Sequence, residues 1–121
     1  MNLLVIAIGG ALGSVARYLL STFVLRVSGT LFPLGTFVVN VAGCLVFGAI
    51  AGATAQRVQI APATRLFFLT GILGGFTTFS SFAFESFVLV RDGQMLWAGL
   101  NVAGQVVAGL AGMWAGYVVT F

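Results

Sequence analysis

The stretch GGFTTFSSFAFE, residues 74–85, lies inside the third of four long apolar segments, yet its composition is unlike that of a plain membrane helix. It begins with two glycines, which weaken a helix, and continues with hydroxyl residues that compete for backbone hydrogen bonds. Because lipid offers no partner to an opened backbone, a break here must face protein or a water-filled path. The stretch therefore predicts a binding site, and a conduit is our first interpretation.

The composition predicts an all-α integral membrane protein. Of 121 residues, 60% are hydrophobic and only 6% are charged. The apolar stretches are each near or above the roughly 20 residues that a helix needs to cross a bilayer. They cover residues 3–25, 33–53, 63–90 and 95–119. We therefore expect one four-span domain over residues 1–121, surrounded by lipid bilayer, with a turn at residues 28–30.

The same composition excludes several classes of function. The net charge is +3, but the arginines are scattered rather than clustered, so we expect no nucleic-acid partner. The chain has no histidine, which rules out histidine metal cages and Ser-His triads. Its only acids, Glu85 and Asp92, are too few and too differently placed for a paired-carboxylate mechanism. We expect no catalytic residue and no enzyme.

The third span is too long for one upright helix, and Gly74 and Gly75 divide it near its middle. A first half of about 12 residues rises roughly 18 Å at 1.5 Å per residue. The break is therefore expected near the bilayer midplane, where broken helices expose carbonyl and amide groups to ions. An ordinary glycine kink for close packing is the alternative.

Polar residues recur at membrane depth in the other spans. Arg17 in the first span either faces an aqueous vestibule or extends to the interface. Thr36 and Asn40 stand four residues apart and share a helix face, as do Asn101 and Gln105. An asparagine in a span either ties helices together or lines a pore, and the sequence leaves both interpretations open.

The polar set suits a small anion, because most of its members are neutral or donate hydrogen bonds. Phe79 and Phe82, three residues apart, share a helix face, and aromatic ring edges carry partial positive charge. A compact anion could contact those edges while hydroxyl and amide donors replace its water. Ordinary packing of the two rings is the alternative.

Charge balance bears on orientation. In a four-span topology Arg57 and Arg65 lie on one side, and Arg26 and Arg91 lie on the other. Two arginines against two leave the positive-inside rule undecided. We therefore expect insertion in both orientations and an antiparallel, isologous homodimer. Small residues at four-residue spacing in all four spans predict tight helix packing, also between subunits.

Three segments closely resemble the Fluc (CrcB) family of bacterial fluoride channels. They are GGALGSVARYLLS in the first span, FPLGTFVVNVAG in the second and LTGILGGFTTFSSFAFES in the third. Asn101 near the start of the last span and the four-span length also agree with the family. The resemblance implies a multi-pass protein of the bacterial inner membrane, an antiparallel dimer with two pores. It also implies passive fluoride export that relieves fluoride toxicity.

The resemblance implies roles for individual residues. Phe79 and Phe82 would be the pore phenylalanines, and Asn40 would be the pore amide. Further pore positions are the vestibule arginine, the hydroxyls that replace the hydration shell, and the threonine that shares the face of Asn40: Arg17, Ser80, Ser81 and Thr36. A structural sodium ion would be held by the backbone carbonyls of Gly74 and Thr77. One departure is Gln105, where family members often carry a hydroxyl residue.

Two other functions are alternatives to a fluoride channel. A small proton-coupled drug exporter has a similar size and topology, but it needs a titratable carboxylate deep in the first span, which this sequence lacks. A non-transporting membrane subunit is the second alternative, which reconstitution of the purified chain would separate from a channel.

Overall fold

The computed structural model describes residues 1–29 and 32–121. Within these residues the regular structure is entirely helical. The elements are α1 (Asn2–Ser28), α2 (Leu34–Gln56), α3 (Pro62–Arg65), a π-helical segment (Leu66–Leu73), α4 (Gly74–Phe76), α5 (Phe79–Arg91) and α6 (Met95–Thr120). Among the described residues, four helical segments are long and apolar enough to cross a membrane: Asn2–Ser28, Leu34–Gln56, Pro62–Arg91 and Met95–Thr120.

Helix α1 ends as the predicted turn requires. Gly29 adopts the left-handed conformation, with φ 59° and ψ 21°, and its N–H bonds the carbonyl of Leu25. Glycine favours this conformation because it has no Cβ to clash, so it commonly follows a helix C-terminus. The last residue of the predicted turn, Thr30, lies outside the described residues.

The third span contains an interruption, but its position differs from the one the sequence suggests. Gly74 is helical, with φ −62° and ψ −38°. The backbone is instead extended at Thr77, with φ −82° and ψ 154°, and at Thr78, with φ −148° and ψ 113°. The prediction that the two glycines divide the span is therefore wrong by about three residues. The turn chemistry of Thr78 sets the new boundary, because its hydroxyl accepts the Ser81 N–H at 3.2 Å as an N-cap of α5.

Gly75 serves close packing instead. A methyl group on Gly75 would lie 2.6 Å from the backbone oxygen of Gly10, so α1 and the third span touch backbone to backbone there. Helix α2 meets α6 in the same way: a methyl on Gly48 would collide with the Met113 carbonyl, and one on Gly116 with the Leu45 carbonyl. Small residues allow this approach in membrane helices. The small-residue spacings thus serve packing within one chain.

The interior is partly polar. Of the side chains in the described ranges, the largest that are fully buried are Val39 and Asn101. Helix α5 buries only Ser86 among its own 13 residues, all of which lie in the described part of the chain. Apolar packing within one protomer therefore contributes little to holding α5 in position, and hydrogen bonds contribute more.

Candidate functional site

Asn40 holds the interrupted backbone. Its Nδ2 donates to the Thr78 carbonyl at 3.1 Å, and its Oδ1 accepts the Thr78 N–H at 2.8 Å. Thr78 lies between two helices, so its N–H has no helical acceptor, and buried backbone groups left unpaired are costly. The Asn40 side chain of α2 supplies that acceptor and also bonds the Thr78 carbonyl. Below, this pair of bonds is called the Asn40–Thr78 clasp.

Three hydroxyls meet at the start of α5. The Thr78 hydroxyl donates to Ser81 Oγ at 3.0 Å and lies 3.3 Å from Ser80 Oγ. Ser80 is exposed, whereas Ser81 is half-buried. The two serines that the sequence assigned to a hydration-replacing role therefore lie side by side, joined through a threonine hydroxyl.

Phe79 and Phe82 lie on the same side of α5. Their ring centroids are 5.5 Å apart with planes tilted by 56°, so the edge of one ring is turned toward the other. The Phe79 ring is 78% exposed on the protomer surface, whereas Phe82 is half-buried.

One cavity collects most of the predicted site. It has a volume of about 360 Å³ and is bounded by α2, the third span and α6. Its lining includes Asn40, Gly74, Thr77, Phe79, Phe82 and Gln105. Four other predicted site residues lie outside this lining: Arg17, Thr36, Ser80 and Ser81. Five of the nine predicted site residues therefore line the cavity, and four do not.

Arg17 contacts the third span directly. Its Nε donates to the Gly75 carbonyl at 3.2 Å, and the side chain is half-buried. The carbonyl ends of a helix carry partial negative charge, so a cation is favourable where α4 ends. The guanidinium therefore lies against protein backbone, which is the environment expected for a charge within a membrane span.

Thr36 pairs with an acid that the sequence analysis did not include in the site. Its hydroxyl donates to Glu85 Oε1 at 2.9 Å. Among the described residues, no group bonds the buried Glu85 Oε2. The signal that could have found Glu85 is its place inside an apolar span, where an ionisable residue is by default functional.

A chain of side-chain hydrogen bonds crosses the interior from Asn40. Asn40 Nδ2 donates to Gln105 Oε1 at 2.8 Å, and Gln105 Nε2 donates to Asn101 Oδ1 at 2.9 Å. Asn101 Nδ2 then donates to Ser86 Oγ at 2.8 Å, and that hydroxyl donates to the Phe82 carbonyl at 2.8 Å. This chain, called the amide relay below, links α2, α6 and α5.

The two carbonyls predicted to hold sodium are deprived of their regular helical donors. The Thr78 N–H, four residues after Gly74, is donated to Asn40. The Ser81 N–H, four residues after Thr77, is donated to the Thr78 hydroxyl. Both oxygens are therefore available at the interruption, and carbonyl oxygens are suitable ligands for a hard cation. The donor set fits such an ion.

Comparison with known proteins agrees with this architecture. The family model described as CrcB-like protein, Camphor Resistance (CrcB), matches residues 4–117. A fluoride-specific ion channel FluC of Nitratidesulfovibrio vulgaris is 47% identical over 115 residues, 95% of this chain and 93% of the relative. That of Solibacter usitatus is 48% identical over 117 residues, covering 96% and 95%. That of Rhodospirillum rubrum is 47% identical over 120 residues, covering 98% and 93%.

These matches confirm the resemblance that the sequence motifs carry. Together with the four apolar helices, they identify a multi-pass protein of the bacterial inner membrane. The matched family is a class of ion channels, and nothing in it indicates catalytic activity. With its family model matched over nearly the whole length, the chain belongs to the CrcB-like family.

Proposed function

We propose that this protein is a fluoride-selective channel that lets fluoride leave the cell passively and so protects it from fluoride toxicity. The relatives named as fluoride-specific ion channels support the substrate. The observation that carries the proposal is the cavity that unites Asn40 with the rings of Phe79 and Phe82. The rings offer positive edges, and the neighbouring Ser80 and Ser81 offer hydroxyl donors, which suit a small, strongly hydrated anion.

The proposed mechanism is replacement of water. Fluoride leaves its hydration shell as it meets the edges of Phe79 and Phe82, while hydroxyl groups supply lost hydrogen bonds. Ser80 and Ser81 provide these hydroxyls beside the rings. Asn40, whose two amide hydrogens bond Thr78 and Gln105, holds the backbone from which the rings begin. Because each contact replaces part of the hydration shell without a net charge, the ion can also leave, as conduction requires.

Two further residues act at the ends of this path. The positive charge of Arg17 favours an anion near the vestibule and is held in place by the Gly75 carbonyl. Thr36 lies one helical turn before Asn40 on α2, and its hydroxyl is anchored on Glu85. In this proposal the polar face of α2 continues the path beyond the rings.

The functional unit is an antiparallel homodimer with both orientations in the membrane. The equal division of Arg26 and Arg91 against Arg57 and Arg65 supports dual insertion. The largely exposed Phe79 ring supports a second copy as the missing wall of the cavity. In this arrangement the interruption at Thr77 and Thr78 lies near the bilayer midplane.

A structural sodium ion is part of the proposed assembly. The backbone carbonyls of Gly74 and Thr77 would hold it, because both lack their regular helical donors. The ion would supply positive charge that neutralises the converging carbonyl dipoles. The chain's own contribution is the Asn40–Thr78 clasp, which takes the Thr78 N–H away from Gly74.

The decisive experiment is fluoride efflux from liposomes that contain the purified protein alone, recorded with a fluoride electrode. We expect efflux from the unaltered protein and its loss in Phe79→Ile and Phe82→Ile, with the oligomer retained on size exclusion. Phe84→Ile, on the same helix and outside the cavity lining, is the matched control and should retain efflux. Unchanged efflux in both pore variants would refute the role of the rings.

The same assay separates the alternatives. A non-transporting subunit would give no efflux from the purified chain. A proton-coupled exporter would need a pH gradient, whereas a channel needs only the fluoride gradient. The first span of this chain has no carboxylate for such coupling, and the relatives' names favour the channel.

A further inference from the structure

We propose that Gln105 is a positioning residue that orients the Asn40–Thr78 clasp through the amide relay, without itself being the group that recognises the ion. The inference rests on the proposed function only where fluoride transport is the readout. A glutamine amide accepts at one atom and donates at another, and it reaches further from its helix than a serine hydroxyl does.

The surroundings of Gln105 support this role. The residue is only 7% exposed, and its oxygen and nitrogen are both used. Oε1 accepts from Asn40 and Nε2 donates to Asn101, at 2.8 and 2.9 Å. A side chain held at both ends of its amide is fixed in orientation, since exchanging oxygen and nitrogen would oppose donor to donor and acceptor to acceptor.

The orientation passes to the clasp. Asn40 has two amide hydrogens, and they are donated to the Thr78 carbonyl and to Gln105. Its oxygen accepts the Thr78 N–H. Gln105 is therefore the third point that fixes the Asn40 amide and, within residues 1–29 and 32–121, the only one that does not belong to the interrupted backbone itself. Hydrogen bonds in such chains polarise and strengthen one another.

The relay also reaches the far side of the phenylalanine pair. From Gln105 it continues through Asn101, which is fully buried, to Ser86 and the Phe82 carbonyl. At one end the relay bonds Thr78, the residue before Phe79, and at the other end it bonds the Phe82 carbonyl. Both ends of the relay thus anchor α5, the helix that carries the two rings, to α2 and α6.

Removal of the Gln105 amide should therefore weaken the two hydrogen bonds of the Asn40–Thr78 clasp. Gln105→Met keeps a similar volume and removes both hydrogen bonds. Gln105→Ser carries a hydroxyl that is too short to reach both amides. Val107→Met is the control, because Val107 lies two residues further along α6, is 66% exposed and stands outside the relay.

The test is amide hydrogen exchange of the full-length protein in detergent micelles, followed by NMR. We expect the Thr78 N–H to exchange more than tenfold faster in Gln105→Met and Gln105→Ser than in the unaltered protein. The Thr77 N–H, which bonds the Leu73 carbonyl, is the internal reference and should keep its rate. Val107→Met should change neither rate.

The exchange rates of Thr77 and Thr78 decide whether Gln105 acts as a positioning residue. An unchanged Thr78 rate would overturn the proposal, and equal acceleration at Thr77 and Thr78 would also overturn it by showing general loosening. If Gln105→Met does not fold, Gln105→Ser decides by the same comparison. In liposomes we expect Gln105→Ser to slow fluoride efflux at least fivefold, and efflux within twofold of the unaltered protein would refute the link to transport. If the unaltered protein passes no fluoride, the proposed function fails, while the exchange rates still decide the relay.

Discussion

Arg17 donates a hydrogen bond to the backbone carbonyl of Gly75, a residue 58 positions away in the chain. The bond joins the first span to the last helical turn before the interruption of the third. A guanidinium at this point does two things: it satisfies a carbonyl near a helix end, and it places a fixed positive charge beside that end. The charge and the interruption therefore depend on each other.

Replacement of Arg17 should destabilise the protein. Arg17→Leu leaves the Gly75 carbonyl without its partner, which costs about 1–3 kcal/mol for a buried polar group. Arg17→Lys keeps the charge and one donor and should lose less. Thermal unfolding in detergent, followed by circular dichroism, measures both. An unfolding midpoint for Arg17→Leu equal to that of the unaltered protein would show that the bond contributes nothing.

The N-cap of α5 can be tested at Thr78. Thr78→Val keeps the shape but loses the oxygen that accepts the Ser81 N–H, and loss of an N-cap costs about 0.5–2 kcal/mol. Thr78→Ser retains the oxygen and should remain close to the unaltered protein. The comparison uses chemical unfolding in mixed micelles. Equal stability of the valine and serine variants would show that the N-cap hydrogen bond does not set the start of α5.

Thr36 and Glu85 should behave as a coupled pair. Thr36→Val removes the donor to Glu85 Oε1, and the other carboxyl oxygen is already without a partner among the described residues. We expect a loss of about 1–3 kcal/mol of unfolding free energy. The double variant Thr36→Val with Glu85→Leu should recover part of that loss, since replacing both partners by apolar groups can be nearly neutral. Strictly additive losses in a double-mutant cycle would contradict the pairing.

Two glycines provide a matched test of helix packing. Gly48→Ala on α2 places a methyl against the Met113 carbonyl, so we expect severe loss of folded protein. Gly99→Ala on α6 meets nothing within 4 Å in the protomer and should fold normally. Yield of monodisperse protein on size exclusion compares them. Normal yield of Gly48→Ala would mean that α2 and α6 lie further apart than described.

Sodium removal tests the proposed cation. If carbonyls of Gly74 and Thr77 hold sodium, proteoliposomes prepared without it should lose fluoride efflux, because unneutralised carbonyl oxygens repel one another. Readdition of sodium should restore efflux, whereas an organic cation of the same charge should not. Full efflux in sodium-free buffer, verified by flame photometry, would remove sodium from the assembly and leave the channel proposal intact.

Much of the fold could be predicted because it depends on local composition. Long apolar segments indicate membrane helices whatever their partners are, and the four spans follow from segment length alone. The position of the interruption could not be predicted in the same way. A glycine pair is compatible with a break and with close helix contact, and only the neighbouring backbone of Gly10 distinguishes the two at Gly75.

Five of the predicted site residues line the cavity, but the sequence does not indicate how these residues are connected. Asn40, Phe79 and Phe82 stand out in the sequence because polar and aromatic residues at regular spacing share a helix face. Their partners are distant in sequence: Asn40 and Gln105 are 65 residues apart, and Thr36 and Glu85 are 49 apart. No pattern within a short stretch of sequence predicts such a pairing.

The sequence by itself determined that this is a four-span membrane protein of a channel family, with its polar residues concentrated around residues 74–85. The tertiary structure alone decided that Thr78 rather than the glycines carries the interruption, that Arg17 bonds the third span, and that Gln105 joins Asn40 to Asn101. The physical reason is the separation along the chain of the residues that each interaction involves. Hydrophobicity acts residue by residue along the chain, whereas a buried hydrogen bond exists only once packing has brought its two ends within about 3 Å.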